Sequence, residues 1–197
     1  MSHTLAAESL DILFRNARTH NGWLDKPVTD EQIQQLYELL KFGPTSMNTS
    51  PARFLFLRTP EAKERLLPAL APGNVEKTRV APVCVIVGYD RAFYEQLVTL
   101  FPHKQDARDM FYGKTELIES TAFRNGSLQG AYLIMAARAL GLDCGPMSGF
   151  DAKKVNEAFF PEGNIVVNFL CNIGYGDHSK VLGRLPRLSF DDACELL

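Results

Sequence analysis

Residues 130–140 read Gly-Ala-Tyr-Leu-Ile-Met-Ala-Ala-Arg-Ala-Leu, the second half of the longest helix the chain predicts, 116–140. A surface helix keeps one polar face, but this half is apolar on nearly every face. Such a rod has to be covered all round, by the core of its own chain or by a second subunit. Gly141 supplies its C-cap. The remaining elements are short and have to be arranged around it.

Apolar periodicity and turn residues place those elements. Residues 5–18 carry Leu5, Leu10, Leu13 and Phe14 at helical spacing, and Gly22 and Pro27 end that segment. Thr29 to Gln32 form a capping box for a helix with Ile33, Leu36, Tyr37, Leu39 and Leu40 on one face, stopped at Gly43-Pro44. A buried strand covers 53–57. Pro60 opens a helix that runs to about Leu70 and is ended by Ala71-Pro72-Gly73, with Asn74 and Lys77 just past the break. Residues 83–87 are continuously apolar, the pattern of a strand buried on both faces. Residues 165–174 form the last strong strand, and 190–197 a short helical end. Asp151 caps a helix through Ala158. Three or four strands and six or seven helices make the chain α+β or α/β, in a single domain over 1–197. Residues 90–114 are irregular and aromatic, with two readings: a helical excursion packed on the core, or a lid over a flat ligand.

The balance of charge excludes several classes. With 21 basic and 23 acidic residues the net charge is -2, which leaves no nucleic-acid footprint. No apolar run reaches the roughly 18 residues of a membrane span. The start, MSHTLAAESLDILF, lacks the basic region and unbroken apolar core of a secretory signal, so a cytoplasmic protein is expected. Cys84, Cys144, Cys171 and Cys194 are scattered, as are His3, His20, His103 and His178, and no metal site is expected.

Two polar loops remain, 43–50 and 145–149. Thr45, Ser46, Asn48, Thr49 and Ser50 fill the first with short donors and acceptors; they either cap helix ends or hold a ligand. Gly149 in the second lets a backbone approach a flat ring closely. Arg18 near the start, and Lys180, Arg184 and Arg187 near the finish, are either solvated or meet on a phosphate. There is no glycine-rich dinucleotide fingerprint, P-loop or nucleophile elbow.

In this order, the elements resemble the nitroreductase family of flavin-dependent oxidoreductases. Arg18-Thr19-His20-Asn21-Gly22-Trp23, followed by Pro27 and Asp30, is similar to the family's opening turn. Residues 44–52, PTSMNTSPA, resemble its Pro-Ser-x-x-Asn-x-Gln-Pro-Trp loop, and Asn74 and Lys77 its Asn-x-x-Lys. Residues 146–151, PMSGFD, resemble the loop that faces the flavin, and Gly174-Tyr175-Gly176 with Arg187 the terminal phosphate clamp. The chain departs from many relatives at Asn21, where they carry a second basic residue, and at Ser50 and Ala52, where they carry Gln and Trp.

The resemblance implies a nitroreductase-like sheet flanked by helices, in an intertwined homodimer with the long helix partly at the interface. It implies FMN as cofactor and NADH or NADPH as reductant, in ping-pong hydride transfer through flavin N5. Arg18, Thr19, Arg184 and Arg187 would hold phosphate or ribityl groups. Ser46 and Asn48 would reach the flavin from the other subunit. Asn21, Asn74 and Lys77 would address the ring, and Ser148 and Gly149 the surroundings of N5. No nucleophile is implied, and the proton donor stays open between His103, Tyr112 and solvent. The strings ARTHNGW, SPAR, TAFRN, GPMSGFD, NIGYGD and RLPRLSF resemble a branch of the family that reduces malonic semialdehyde (3-oxopropanoate) in pyrimidine degradation. A broad nitro- or quinone reductase and a non-catalytic flavin-binding module are the alternatives.

Overall fold

The computed structural model describes residues 4–197, so His3 and the first residues of the signal-peptide argument lie outside the described residues. Four antiparallel strands, β1 (Ala52–Leu57), β2 (Val83–Asp90), β3 (Asp143–Met147) and β4 (Ile165–Gly174), form one sheet in the order β1-β2-β4-β3. Around it lie α1 (Ala7–Leu10), α2 (Asp30–Leu40), α3 (Pro60–Leu66), α4 (Pro72–Arg79), α5 (Leu97–Leu100), α6 (Thr115–Ala139), α7 (Ala152–Phe159) and α8 (Phe190–Ala193). The architecture is α+β. No helix among the described residues is long and apolar enough to cross a membrane.

The period of a strand explains how β2 organises the core. Val83, Val85 and Val87 point to one face, where they meet Leu36 and Leu40 of α2 and Leu133, Ala136 and Ala137 of α6. Cys84 and Ile86 point to the other, against Leu66 of α3 and Val155 of α7. The strand is therefore buried on both faces, as its unbroken apolar run predicts. The capping box of α2 is present: Gln32 N donates to Thr29 Oγ1 at 3.2 Å, and Thr29 N to Gln32 Oε1 at 3.1 Å. Asp151 caps α7 through a bond from Lys154 N to Oδ1 at 3.2 Å. The aromatic stretch takes the first of its two readings. Phe93, Leu97 and Phe111 pack with Tyr89 and Ala122 into a satellite core, with the Phe93 and Phe111 rings 5.0 Å apart.

Several expectations are corrected. Residues 143–147 are a strand, not part of a loop; Gly145 and Pro146 disguise it, and Pro146 is tolerated because β3 is an edge strand. Pro72 opens α4, so Asn74 and Lys77 stand on a helix rather than after one. β1 is the other edge and only partly buried. Tyr37 and Leu39 of α2 face outward, leaving Leu36 and Leu40 in the core. The long helix buries one face only: Asn125, Gln129, Leu133 and Ala136 pack inward, while Leu117, Phe123, Leu128 and Tyr132 stay exposed on the single chain.

Candidate functional site

Three distant segments are fastened together at the start of β3. His20 N donates to Cys144 O at 3.0 Å, Leu24 N to Tyr175 O at 2.8 Å, and Asp177 N to Gly22 O at 2.9 Å. The His20 ring is buried in the joint. Its Nε2 lies 3.2 Å from Asp143 Oδ1, and Asp143 Oδ2 accepts a bond from Gly176 N at 2.9 Å. A Cβ on Gly176 would sit 1.9 Å from His20 Nδ1, so only glycine fits beneath the ring. The His178 ring stands edge-on at 5.0 Å. Two histidines that look dispersed in the sequence therefore meet, and the ligating atoms of His20, Asp143 and His178 lie within 4.8 Å of one another. Burial pushes the His20 pKa down, against the pull of Asp143.

This joint presents Arg18 and Thr19 to the segment that leaves the sheet after β4. A cleft of about 290 Å³ opens there, lined by Arg18, Thr19, Asn21, Arg138, Arg184 and Arg187 among others. Arg18 donates to Leu182 O. Arg184 Nη2 donates to Arg15 O at 2.6 Å and Ala17 O at 3.1 Å, tying the C-terminal arm to the N-terminal segment. Arg187 bonds the carbonyls of Leu185 and Pro186 at 3.0 and 3.1 Å. Each guanidinium has five donors, so these bonds leave donors free for an anion.

From the cleft a continuous line of polar groups leads to Gly149. Asn21 Oδ1 accepts from Lys77 Nζ at 3.3 Å. Lys77 and Asn74 stand three residues apart on α4, hence on one face. Asn74 Nδ2 donates to Gly149 O at 2.8 Å, and Ala71 N to the same carbonyl at 2.9 Å. A Cβ on Gly149 would lie 2.7 Å from Asn74 Nδ2, so the close approach requires glycine. Ser148, next to it, is exposed. The Lys77 carbonyl accepts from Trp23 Nε1 at 3.0 Å and Asn172 Nδ2 at 3.3 Å, which fixes α4 against the joint. Burial pushes the Lys77 pKa down.

Ser46 and Asn48 lie elsewhere. Ser46 N donates to Asn125 Oδ1 at 2.8 Å, midway along α6, and Asn48 Nδ2 donates to Leu100 O at 2.9 Å. Asn125 and Arg138 are thirteen residues apart, about 20 Å along a helix. Within one chain these two loop residues do not join the cleft. Their loop is nonetheless a built feature: Met47, Asn48 and Ser50 have φ of 52, 52 and 40°, a left-handed conformation that side chains rarely adopt. His103 and Tyr112 also lie outside the cleft, in the aromatic excursion.

The sequence reading missed three residues. Arg138 was absorbed into the apolar rod. Asn125 and Gln129 hold the strained loop at both ends, Gln129 Oε1 accepting from Ala52 N at 2.8 Å. Two amides four residues apart on a mostly apolar helix were the available signal.

The model of the nitroreductase family matches residues 15–175. The chain belongs to the nitroreductase family. A relative from Polynucleobacter asymbioticus, provisionally named NADH dehydrogenase/NAD(P)H nitroreductase, is 61% identical over all of both chains. Among solved structures, Bacillus subtilis ydfN, provisionally named a nitroreductase, superposes with a TM-score of 0.87 at 21% identity, covering 98% of this chain and 100% of its own. A nitroreductase of Exiguobacterium sibiricum, also provisionally named and solved in complex with FMN, has a TM-score of 0.85 at 21% identity with both chains fully covered. The nitroreductase fold expected from the resemblance is thus the observed one.

Proposed function

We propose that this nitroreductase-family chain is an FMN-dependent NAD(P)H oxidoreductase acting as a homodimer. The observation that carries the reading is the run of polar groups from the arginine cleft through Asn21 and its partner Lys77, then Asn74 on the same helix face, to Gly149. The donor set fits FMN. Four guanidinium groups and the Thr19 hydroxyl suit a phosphate, and the lining of the cleft includes no carboxylate. Lys77 and Asn74 offer donors on one face of α4, and Gly149 gives a side-chain-free approach to a flat face. The FMN complex of the Exiguobacterium protein and the nitroreductase name of the 61% identical relative support the same reading.

When bound, FMN would supply the hydride-transfer chemistry of a ping-pong sequence, with NADH or NADPH as reductant. The chain supplies position and charge. Arg18, Thr19, Arg184 and Arg187 hold the phosphate end. Lys77, desolvated in its place, gains from negative charge developing beside it. Asn74 and the Ala71 N–H hold the Gly149 carbonyl, so Ser148 and Gly149 present a fixed backbone. Ser46 and Asn48 contribute from the second subunit.

We read the substrate as malonic semialdehyde, reduced to 3-hydroxypropanoate as by the malonic semialdehyde reductase RutE of uracil degradation. The strings from ARTHNGW to RLPRLSF support this. The alternative is a broad nitro- or quinone reductase, and the NAD(P)H nitroreductase name of the 61% identical relative favours its nitroreductase half. The deciding experiment reconstitutes the protein with FMN, desalts it and adds NADH anaerobically. A retained flavin band that bleaches is expected, and loss of the flavin on desalting sinks the reading. Turnover of malonic semialdehyde above that of nitroaromatics and quinones supports the narrower substrate, and the reverse order rejects it.

A further inference from the structure

We infer that Arg138 is the pre-positioned phosphate ligand of the cleft and sets the preference for phosphorylated over unphosphorylated flavin. The inference rests on the FMN reading above.

Arg138 stands in the last turn of α6, where a cation is favoured by the helix dipole whether or not it binds anything. That role needs only a solvated side chain. Here the side chain is drawn in: Nη1 donates to Leu13 O at 2.9 Å, and Nε is buried with no partner. The residue also lines the cleft, and its Nη2 has no bond among the described residues, so an anion there would take that donor while Nη1 and the buried Nε hold the fork in place.

The charges of the cleft point the same way. Arg18, Arg138, Arg184 and Arg187 all line it, and none of the four is in an ion pair among the described residues. Of the eight other arginines, Arg15, Arg53, Arg58, Arg79, Arg91 and Arg108 each face a carboxylate, and Arg65 and Arg124 stand apart from the cleft without one. Four cations gathered within one small cleft repel one another unless a multiply charged anion sits among them.

The four differ in how they are held. Arg184 and Arg187 sit on the arm after β4, where the residues from Leu182 onward are exposed. Arg138 is next to Ala136 and Ala137, both buried in the main core, so its backbone is fixed before any ligand arrives. A fixed donor loses less freedom on binding than one that has to be ordered. Arg138 therefore contributes most of the discrimination that depends on the phosphate, with the arm closing over it.

The test is a pair of dissociation constants, for FMN and for riboflavin, measured by flavin fluorescence on the apoprotein. Wild type, Arg138→Met and Arg138→Lys are compared, with thermal melts to confirm folding. Arg138→Met is expected to weaken FMN about tenfold to a hundredfold, as for loss of a charge-assisted bond, and to leave riboflavin within about twofold. Arg138→Lys keeps the charge without the fork and should fall between. An equal loss for both flavins overturns the inference, because Arg138 then only anchors Leu13. So does an unchanged FMN affinity in Arg138→Met. If wild type itself fails to prefer FMN, the FMN reading falls and this inference with it.

Discussion

His20 shows how one buried side chain can make the stability of a fold depend on pH. The imidazole sits between Arg18-Thr19 and Asn21 in sequence and fills the joint that presents them. Around it face Asp143 and Asp177, which favour its protonated form, and His178 and Arg18, which oppose it; burial is the largest influence and lowers its pKa below 6.5. The unfolded chain therefore takes up a proton near pH 6.5 that the folded chain accepts only at lower pH. Stability is independent of this group above that value. It falls as pH drops through the window below, until the folded imidazole is protonated too. Melting temperatures taken from pH 7.5 to 5.5 should fall more steeply for wild type than for His20→Asn, whose amide does not titrate. Parallel curves would show that His20 carries no such linkage.

At the scale of elements, α6 does two jobs that the apolar pattern of residues 130–140 conceals. It fills the core, and through Asn125 and Gln129 it holds the strained loop between α2 and β1. Gln129→Leu removes the partner of the buried Ala52 N–H, so a loss of about 1–3 kcal/mol is expected. Hydrogen exchange should quicken in a peptide covering 44–55 while β4 stays protected; uniform exchange across both would place the effect elsewhere. Local signals were legible where they act alone. The capping box of α2, the Asp151 cap and the unbroken run of β2 all stand where periodicity put them. β3 was hidden because its edge position admits the Gly-Pro pair that normally marks a loop. Arg18, Thr19, Asn21, Arg184 and Arg187, named from the order of the motifs, line one cleft, and two further named pairs form the contacts Lys77–Asn21 and Asn74–Gly149. Arg138 and the His20–Asp143–His178 contact were not named, since they arise only when segments more than a hundred residues apart meet.

At the scale of the whole molecule, the proposed second copy would answer two features of the single chain together. The arm after β4 carries Leu182, Leu185 and Leu188 at 73, 74 and 74% exposure, more than an isolated chain of this size leaves uncovered without reason. Leu128 and Tyr132 add an exposed apolar surface on α6. Asn125, which holds the strained loop with Ser46 and Asn48, lies about 20 Å along α6 from Arg138 of the cleft, and in the proposed dimer that loop would meet the ligand from the partner. If both halves are needed, flavin binding and dimerisation are linked, and each must strengthen the other by the same factor. Sedimentation should give a species of twice 22.0 kDa at micromolar concentration. On dilution, FMN should delay dissociation into monomers, and a Ser46→Ala, Asn48→Ala double variant should lose that delay while still forming dimers at high concentration. A monomer that binds FMN as tightly as the dimer would refute the linkage and leave the site within one chain.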